Sequence, residues 1–270
     1  MPLPLLTTKL YTPVPRHNLV KRPRLTAQLD EALQLGRRLV LVSAPAGCGK
    51  TTLIGEWIAH CEGRSVAWLS LDEADNDPVR FLRYVIAAFQ LRDPGLGQTT
   101  LDMLRSPQPP PTRTLLIALI NDIAAAGVPA TLVLDDYHTI GSDPLHEAVR
   151  FLVEHQPGSM QTIIITREDP PLPLPRLRAR GEVTEIRERD LRFTVGEATQ
   201  FLNETVGFTL PAEAIAALEA RTEGWVAGLQ LAALAVRKAP EQTEALIAGF
   251  TGDNRYVIDY LGTEVLEQQP

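Results

Sequence analysis

The sequence predicts an α/β protein: a five-stranded parallel sheet flanked by helices, followed by an all-α region. Three observations predict it. Short apolar runs alternate with amphipathic stretches up to about residue 190, the pattern of strand–helix–strand units that close into a parallel sheet covered on both faces. The alternation then stops, and from Thr194 onward every periodic stretch is helical. A glycine-rich turn separates the first apolar run from the helical stretch after it, at the sheet edge where such folds bind ligands.

Each element has its own reason. Residues 1–23 are rich in proline and basic side chains without a sustained period, and read as an extended arm. Leu25, Leu29 and Leu33 recur at helical spacing, and Gly36 ends that helix. Residues 38–43 (RLVLVS) form the first strand. Residues 50–61 form a helix with Leu53, Ile54, Trp57, Ile58 and Cys61 on one face. Residues 66–71 (VAWLSL) are the second strand. Asp77-Pro78 opens the next helix, with Asp as N-cap and Pro in the first turn. Its inward face is Phe81, Leu82, Val85, Ile86 and Phe89. Residues 106–111 (SPQPPP) exclude helix and central strand. Residues 112–126 are helical through Leu115, Leu116, Leu119, Ile120 and Ile123. Residues 131–134 (TLVL) and 162–165 (TIII) are buried strands, with a helix at 145–154 between them. Residues 169–175 (DPPLPLP) read as a second stiff loop, and 183–186 as the fifth strand. Thr194-Val-Gly-Glu197 is a capping box opening a helix with Ala198, Phe201 and Leu202. Further helices are expected near 211–221, 225–237 and 241–267. The chain thus divides into an arm with its first helix (1–36), a sheet domain (37–190) and a helical domain (191–270).

Composition narrows the function classes. Apolar residues make up 44% and charged residues 22%, ordinary for a globular chain able to bury a large core. No apolar run approaches the ~18 residues that span a bilayer, and the start MPLPLL lacks the basic and apolar regions of a signal peptide. Cys48 and Cys61 make neither a disulfide framework nor a zinc site, so a reducing cytoplasm is expected. A net charge of −7 without a Lys/Arg run argues against a duplex-binding surface. In the helical region, Glu197, Glu204, Glu213, Glu219 and Glu223 face only Arg221 between residues 194 and 236, the wrong sign for a recognition helix.

The chemistry concentrates in Ala44-Pro-Ala46-Gly47-Cys48-Gly49-Lys50-Thr51-Thr52. This is a P-loop, and it lies between a strand and a helix as that motif requires. Gly47 and Gly49 let backbone N–H groups converge on phosphate oxygens at a helix N-terminus. Lys50 supplies a point charge for the β- and γ-phosphates, Thr51 a magnesium ligand, and Thr52 a contact to the α-phosphate. Ala44 replaces the first glycine of the usual pattern, at a position that ends the strand and leaves the nest intact. ATP or ADP with Mg2+ is the expected ligand. Leu132-Val-Leu-Asp135-Asp136 is an apolar strand ending in two acids. Asp135 is placed to hold the magnesium, and Asp136 to orient or deprotonate an attacking water. Ile163-Ile-Ile-Thr166-Arg167 ends a further strand, and Arg167 can contact a γ-phosphate or simply pair with a surface acid.

Other features read more plainly. Asp72, Glu73, Asp75 and Asp77 lack the Gly and distant Glu of a calcium loop and read as a solvated turn with a helix cap. His138 reads as structural, and Cys48 as a small filler rather than a redox group. Trp225, between Gly224 and Gly228, reads as core or as a nucleotide neighbour; spacing does not decide.

Across nearly the whole chain the sequence resembles the N-terminal part of large ATP-dependent LuxR-type transcriptional activators, the maltose-regulon-activator-like members of the STAND class of P-loop NTPases. The resemblance lies in LLTTKLYTPVPRHNLVKRPRL at 5–25, VLVSAPAGCGKTTL at 40–53, WLSLDEADNDPVRFLRYVIAA at 68–88, LVLDDYHTI at 132–140, FLVEHQP at 151–157, DLRFTVGEATQFL at 190–202 and EGWVAGLQLAAL at 223–234. It implies that the arm at 20–25 helps hold adenine, with Arg22 as a contact, and that the helix starting at Gly224-Trp225 faces the nucleotide. It implies a switch that rests with ADP, self-associates with ATP and inducer, and resets by slow hydrolysis. It also implies winged-helix, sensor and DNA-binding domains beyond Pro270, so that inducer and DNA are met outside these residues and no membrane is involved. A turnover ATPase or kinase, and a STAND scaffold with no link to transcription, remain the alternatives.

Overall fold

The computed structural model describes residues 5–14, 19–61, 63–205 and 210–238. The chain divides into two compact units. One comprises Met1–Val14, Leu25–Ser43 and Ile54–Ile186; the other comprises Pro15–Arg24, Ala44–Leu53 and Arg187–Pro270.

In chain order the elements are α1 (Pro23–Gln34), β1 (Leu39–Ser43), α2 (Lys50–Ala59), β2 (Ser65–Ser70), α3 (Pro78–Gln90), α4 (Gln98–Leu104), α5 (Thr112–Ala126), β3 (Ala130–Asp135), α6 (Asp143–His155), β4 (Met160–Thr166), α7 (Leu174–Ala179) and β5 (Val183–Arg187). After the sheet come α8 (Glu188–Leu191), α9 (Val195–Gln200), α10 (Ala212–Thr222) and α11 (Val226–Lys238). The expected helix at 241–267 lies outside the described residues.

The five strands form one parallel sheet in the order β2-β3-β4-β1-β5. Leu39 stands opposite Thr162, Leu132 opposite Thr162 from the other side, and Ser65 opposite Ala130. Burial follows this order. Every residue of β1, β3 and β4 is buried, whereas the edge strands β2 and β5 are partly exposed. A central strand covered on both faces must be apolar along its whole length, and VLVL, TLVL and TIII meet that demand. Among the helices, α3 packs on β2 and on α5 and α6. Its buried face is Phe81, Leu82, Tyr84, Val85, Ile86, Ala88 and Phe89. The Asp77 carboxylate accepts from Arg80 N at 2.7 Å, the cap that starts α3 where Pro78 requires a helix to begin.

The acidic turn before α3 is not the solvated turn expected from its composition. Residues Glu73–Asn76 form a 3-10 turn capped reciprocally by Asp72 and Asp75, and Asp75 is 0% exposed. Its carboxylate takes Lys9 Nζ on one oxygen and Arg80 Nε at 3.1 Å on the other. Lys9 also pairs with Asp72 at 3.0 Å and lies 4.9 Å from the Tyr84 ring centre. Tyr84 OH in turn accepts from Leu6 N at 3.1 Å. The N-terminal turn Thr7–Leu10 is thereby tied to β2 and α3. Burial works against the Asp72 carboxylate, but the hydrogen bonds from Lys9 and Ala74 N–H and the Lys9 charge outweigh it and hold its pKa below the usual range.

Three short helices, α4, α7 and α8, have no counterpart in the sequence reading. The helix α4 follows a Gly- and Pro-laden stretch, and α7 begins inside the proline loop, with Pro175 in its first turn, the one helical position that does not need a proline N–H.

The second unit has its own core: Val20, Phe193, Ala198, Phe201, Leu202, Ile215, Leu218, Leu229, Ala232 and Ala233. Thr194 caps α9, its hydroxyl accepting from Glu197 N at 3.2 Å while Glu197 accepts from Thr194 N at 2.9 Å. Phe201–Thr205 continue α9 as a π-helical turn. Among the described residues no helix is long and apolar enough to cross a membrane.

Candidate functional site

The loop at 44–52 leaves the end of β1 and runs into α2. Gly47 and Gly49 both have positive φ, 74° and 78°. Other residue types reach that conformation only at a cost of about 1–2 kcal/mol, so the two glycines at this spacing are what the turn requires.

The loop's carbonyls are held by protein donors one after another. Lys50 Nζ donates to Ala44 O at 2.7 Å and Pro45 O at 2.9 Å. The Trp225 indole N–H donates to Ala46 O at 3.1 Å. Ala227 N donates to Gly47 O at 3.1 Å. Gly49 O accepts from Leu53 N at 2.9 Å, the first turn of α2. Ala227 lies in the first turn of α11, where backbone N–H groups lack intrahelical partners, and Gly47 O supplies one. With its carbonyls occupied in this way and positive φ at Gly47 and Gly49, the loop at the start of α2 is compatible with an anion-binding nest of backbone N–H groups. Positive-φ glycines, tethered carbonyls and a lysine at the first residue of α2 fit a di- or triphosphate.

Cys48 is buried within this loop. Burial pushes its thiol pKa up, and the nearby Lys50 charge offsets this only in part. A thiol disfavoured as thiolate is a poor redox centre, which favours the filler reading.

The approach to α11 is sterically specified. Gly224 has φ 70°, and a Cβ there would stand 2.4 Å from Phe193 O. Phe193 N donates to Gly224 O at 2.8 Å. At Gly228 a Cβ would meet Trp225 Cε3 at 2.6 Å. The Gly-Trp-x-x-Gly spacing therefore leaves room for an indole lying back along its own helix. Sequence periodicity saw an apolar helix here and could not see the indole's acceptor.

Arg22 is buried and engaged with the chain around 190–197. Its Nη2 donates to Leu191 O at 2.7 Å and Arg192 O at 3.1 Å, its Nε faces Glu197 at 3.4 Å, and its guanidinium lies 4.9 Å from the Phe193 ring centre. Burial lowers its pKa, with Glu197 opposing. These contacts brace the arm.

The remaining predicted residues belong to the sheet unit. Ser43 stands opposite Thr166, and Leu134 opposite Ile164, so the C-terminal ends of β1, β4 and β3 are side by side. Asp135 ends β3, 3% exposed, with its Oδ1 accepting from Asp136 N at 3.0 Å. Asp136 is exposed in the left-handed region, φ 55°. Thr139 holds its carbonyl through N at 3.0 Å and Oγ1 at 2.9 Å. A non-glycine residue held at positive φ marks a conformation the surrounding contacts impose. Arg167 follows the last residue of β4, half-buried. Tyr137 is buried with its OH 3.0 Å from His146 Nδ1. Among the described residues no group of three or more His, Cys, Asp or Glu side chains could hold a metal. Magnesium held by a hydroxyl, a carboxylate and phosphate oxygens needs no such cluster.

Comparison with known proteins supplies the family. The sequence is 38% identical over 267 residues to the HTH-type transcriptional regulator MalT of Serratia proteamaculans, covering 97% of this chain and 29% of that regulator. It is 36% identical over 265 residues to MalT of Yersinia enterocolitica, again covering 29% of the longer protein. The chain thus spans less than a third of the length of these relatives. Its structure is similar to a STAND protein with a tetratricopeptide repeat sensor from Pyrococcus horikoshii (TM-score 0.60, 18% identity, 82% of this chain and 30% of that one). It is also similar to a Walker-type ATPase of Pyrococcus abyssi (TM-score 0.58, 13% identity, 96% and 79%). A family model described as an AAA ATPase domain matches residues 18–165, more than half of the chain, and the protein therefore belongs to the AAA ATPase domain family.

Proposed function

We propose that this chain is the nucleotide-operated switch of a cytoplasmic transcriptional regulator. It binds ATP or ADP with magnesium, self-associates in the ATP state, and resets by slow hydrolysis. The observation that carries this reading is the loop itself: four successive carbonyls, 44 to 47, tied to protein donors, with Lys50 opening α2. Lys50 exchanges its two loop carbonyls for β- and γ-phosphate oxygens, and residues 46–52 line the phosphates. From the motif pattern we assign Thr51 and Asp135 to magnesium, Asp136 to the attacking water and Arg167 to the γ-phosphate. Arg22 positions the arm that holds adenine. We assign residues 1–36 to the arm and first helix, 37–190 to the nucleotide-binding domain, and the helices beyond 190 to an all-α domain. The transcriptional output follows from likeness to the MalT regulators, whose remaining length would carry the sensing and DNA-binding functions.

The difference between ATP and ADP reduces to contacts with one phosphoryl group, and only a ligand that distinguishes two states can shift them. Equilibrium binding of labelled ATP and ADP tests the site. Lys50→Ala should abolish measurable affinity, and unchanged binding would remove the assignment. Turnover below about one per minute, the range of unassisted nucleotide switches, fits the switch, whereas fast turnover points to a motor or kinase. ATP-dependent growth in mass by light scattering tests self-association.

A further inference from the structure

We propose that Trp225 is a positioning residue for the phosphate loop: its indole N–H holds the Ala46 carbonyl and so maintains the loop curvature that a phosphate requires. The inference rests on the nucleotide reading above and concerns how that site keeps its shape.

Three observations carry it. First, α11 offers two donors, the Trp225 indole N–H and Ala227 N, to two successive loop carbonyls, Ala46 O and Gly47 O, each at 3.1 Å. Second, the seat of the ring is built. The Trp225 ring occupies the space that a Cβ at Gly228 would enter at 2.6 Å, and the same Cβ would meet the Thr222 methyl at 3.3 Å. The Thr222 hydroxyl is turned back to Leu218 O at 2.8 Å. Gly224, pressed against the Phe193 backbone, fixes where the chain enters the helix. Third, the loop's carbonyls divide between two kinds of donor. Those of Ala44 and Pro45 are held by Lys50, the group a phosphate recruits. Those of Ala46 and Gly47 are held by neutral donors that a phosphate does not attract. When Lys50 turns to the ligand, its two tethers are lost and those on Ala46 O and Gly47 O remain; Ala46 O keeps the Trp225 indole N–H at 3.1 Å and, more distantly, the weak Cys48 Sγ donor at 3.9 Å.

The other two tryptophans show what a merely structural indole does. Trp57 Nε1 donates to Asp30 at 2.8 Å and Trp68 Nε1 to Ser70 at 3.0 Å, both within the sheet unit. Trp225 instead bonds to a loop whose conformation is itself the binding site.

The test is Trp225→Phe, which keeps an aromatic ring and deletes the N–H, compared with Gly228→Ala, which keeps the N–H and displaces the ring, and with Lys50→Ala. Titration with ATP and ADP is combined with hydrogen–deuterium exchange of the nucleotide-free proteins. Loss of one such hydrogen bond is expected to weaken both nucleotides about 3- to 10-fold. It should also raise exchange in peptides covering 44–53 while peptides from β3 and β4 stay as in the parent. Gly228→Ala should move both readouts the same way; if it does not fold, Trp225→Phe decides alone. Parent-like affinity in Trp225→Phe, with binding lost in Lys50→Ala, overturns the positioning role and leaves the nucleotide site standing. Weakened affinity with unchanged exchange in 44–53 also overturns it, because the ring would then act on the ligand directly. Parent-like binding by Lys50→Ala removes the nucleotide reading itself.

Discussion

Replacing Lys9 by Met removes one cation from a fully buried carboxylate. Asp75 is 0% exposed and holds Lys9 on one oxygen and Arg80 on the other. Stripping a buried charge of its only partner costs about 3–5 kcal/mol. Arg80 and the Asp72 N–H at 3.0 Å remain, so we expect roughly half of that, about 2 kcal/mol. For a chain of this size that is a fall in Tm of about 4–8 °C. Urea denaturation and calorimetry at pH 7 measure it. Asp75→Leu alone leaves Lys9, 6% exposed, with Asp72 as its remaining carboxylate and takes the buried acid from Arg80, and should be similarly costly. The double variant Lys9→Met/Asp75→Leu removes both charges and should recover about 1 kcal/mol or more relative to the sum of the singles. Strict additivity, or a Lys9→Met loss under about 0.5 kcal/mol, would show that the pair is not coupled and that Arg80 alone satisfies Asp75.

Gly224→Ala forces a Cβ into Phe193 O at 2.4 Å with φ at 70°, and should destabilise by about 2 kcal/mol or more in urea melts. Gly49→Ala meets open space but keeps a φ of 78°, so it should weaken nucleotide binding severalfold in titrations while shifting Tm little. Asp72 and Glu197 both have native pKa values below their ordinary ones. Their contribution is therefore present above the unfolded carboxylate range and lost as pH falls through the native values, and urea stability should be level from about pH 6 to 8 and decline below about pH 4. Burial raises the Cys48 thiol pKa and pushes Cys61 up to about 11, so a thiol reagent at pH 7 should modify native protein at least ~10-fold more slowly than urea-unfolded protein.

The parts of the fold that were legible rest on local rules. Five apolar runs, the Asp77-Pro78 start, the Thr194–Glu197 capping box and the loop after β1 are each specified by residues close in the chain. What escaped depends on distant partners. Asp75 reads as one acid of a polar run because its lysine lies 66 residues upstream. The helix α7 is hidden because the four prolines of 169–175 read as a helix-free loop, and here the last of them sits in the helix's first turn. Sequence does not decide Trp225, because periodicity reports which face is apolar and not which carbonyl an indole meets 179 residues away. The residues proposed for the site are visible as types at strand ends, where parallel sheets of this kind bind their ligands. The grouping of 44–53 with the arm and the C-terminal helices leaves no mark on local sequence.

The strand order has a consequence for biosynthesis. β1 is complete at Ser43, yet its neighbours in the sheet are β4, which starts at Met160, and β5, which starts at Val183. At translation speeds of about 5–20 residues per second, LVLVS waits roughly 6–23 s for its first partner. A five-residue segment with every side chain destined for burial is an adhesive surface throughout that interval. The nascent chain therefore carries a strand of fully buried residues unpaired for longer than any other strand of the sheet, and that strand is the one from which the loop at 44–52 departs.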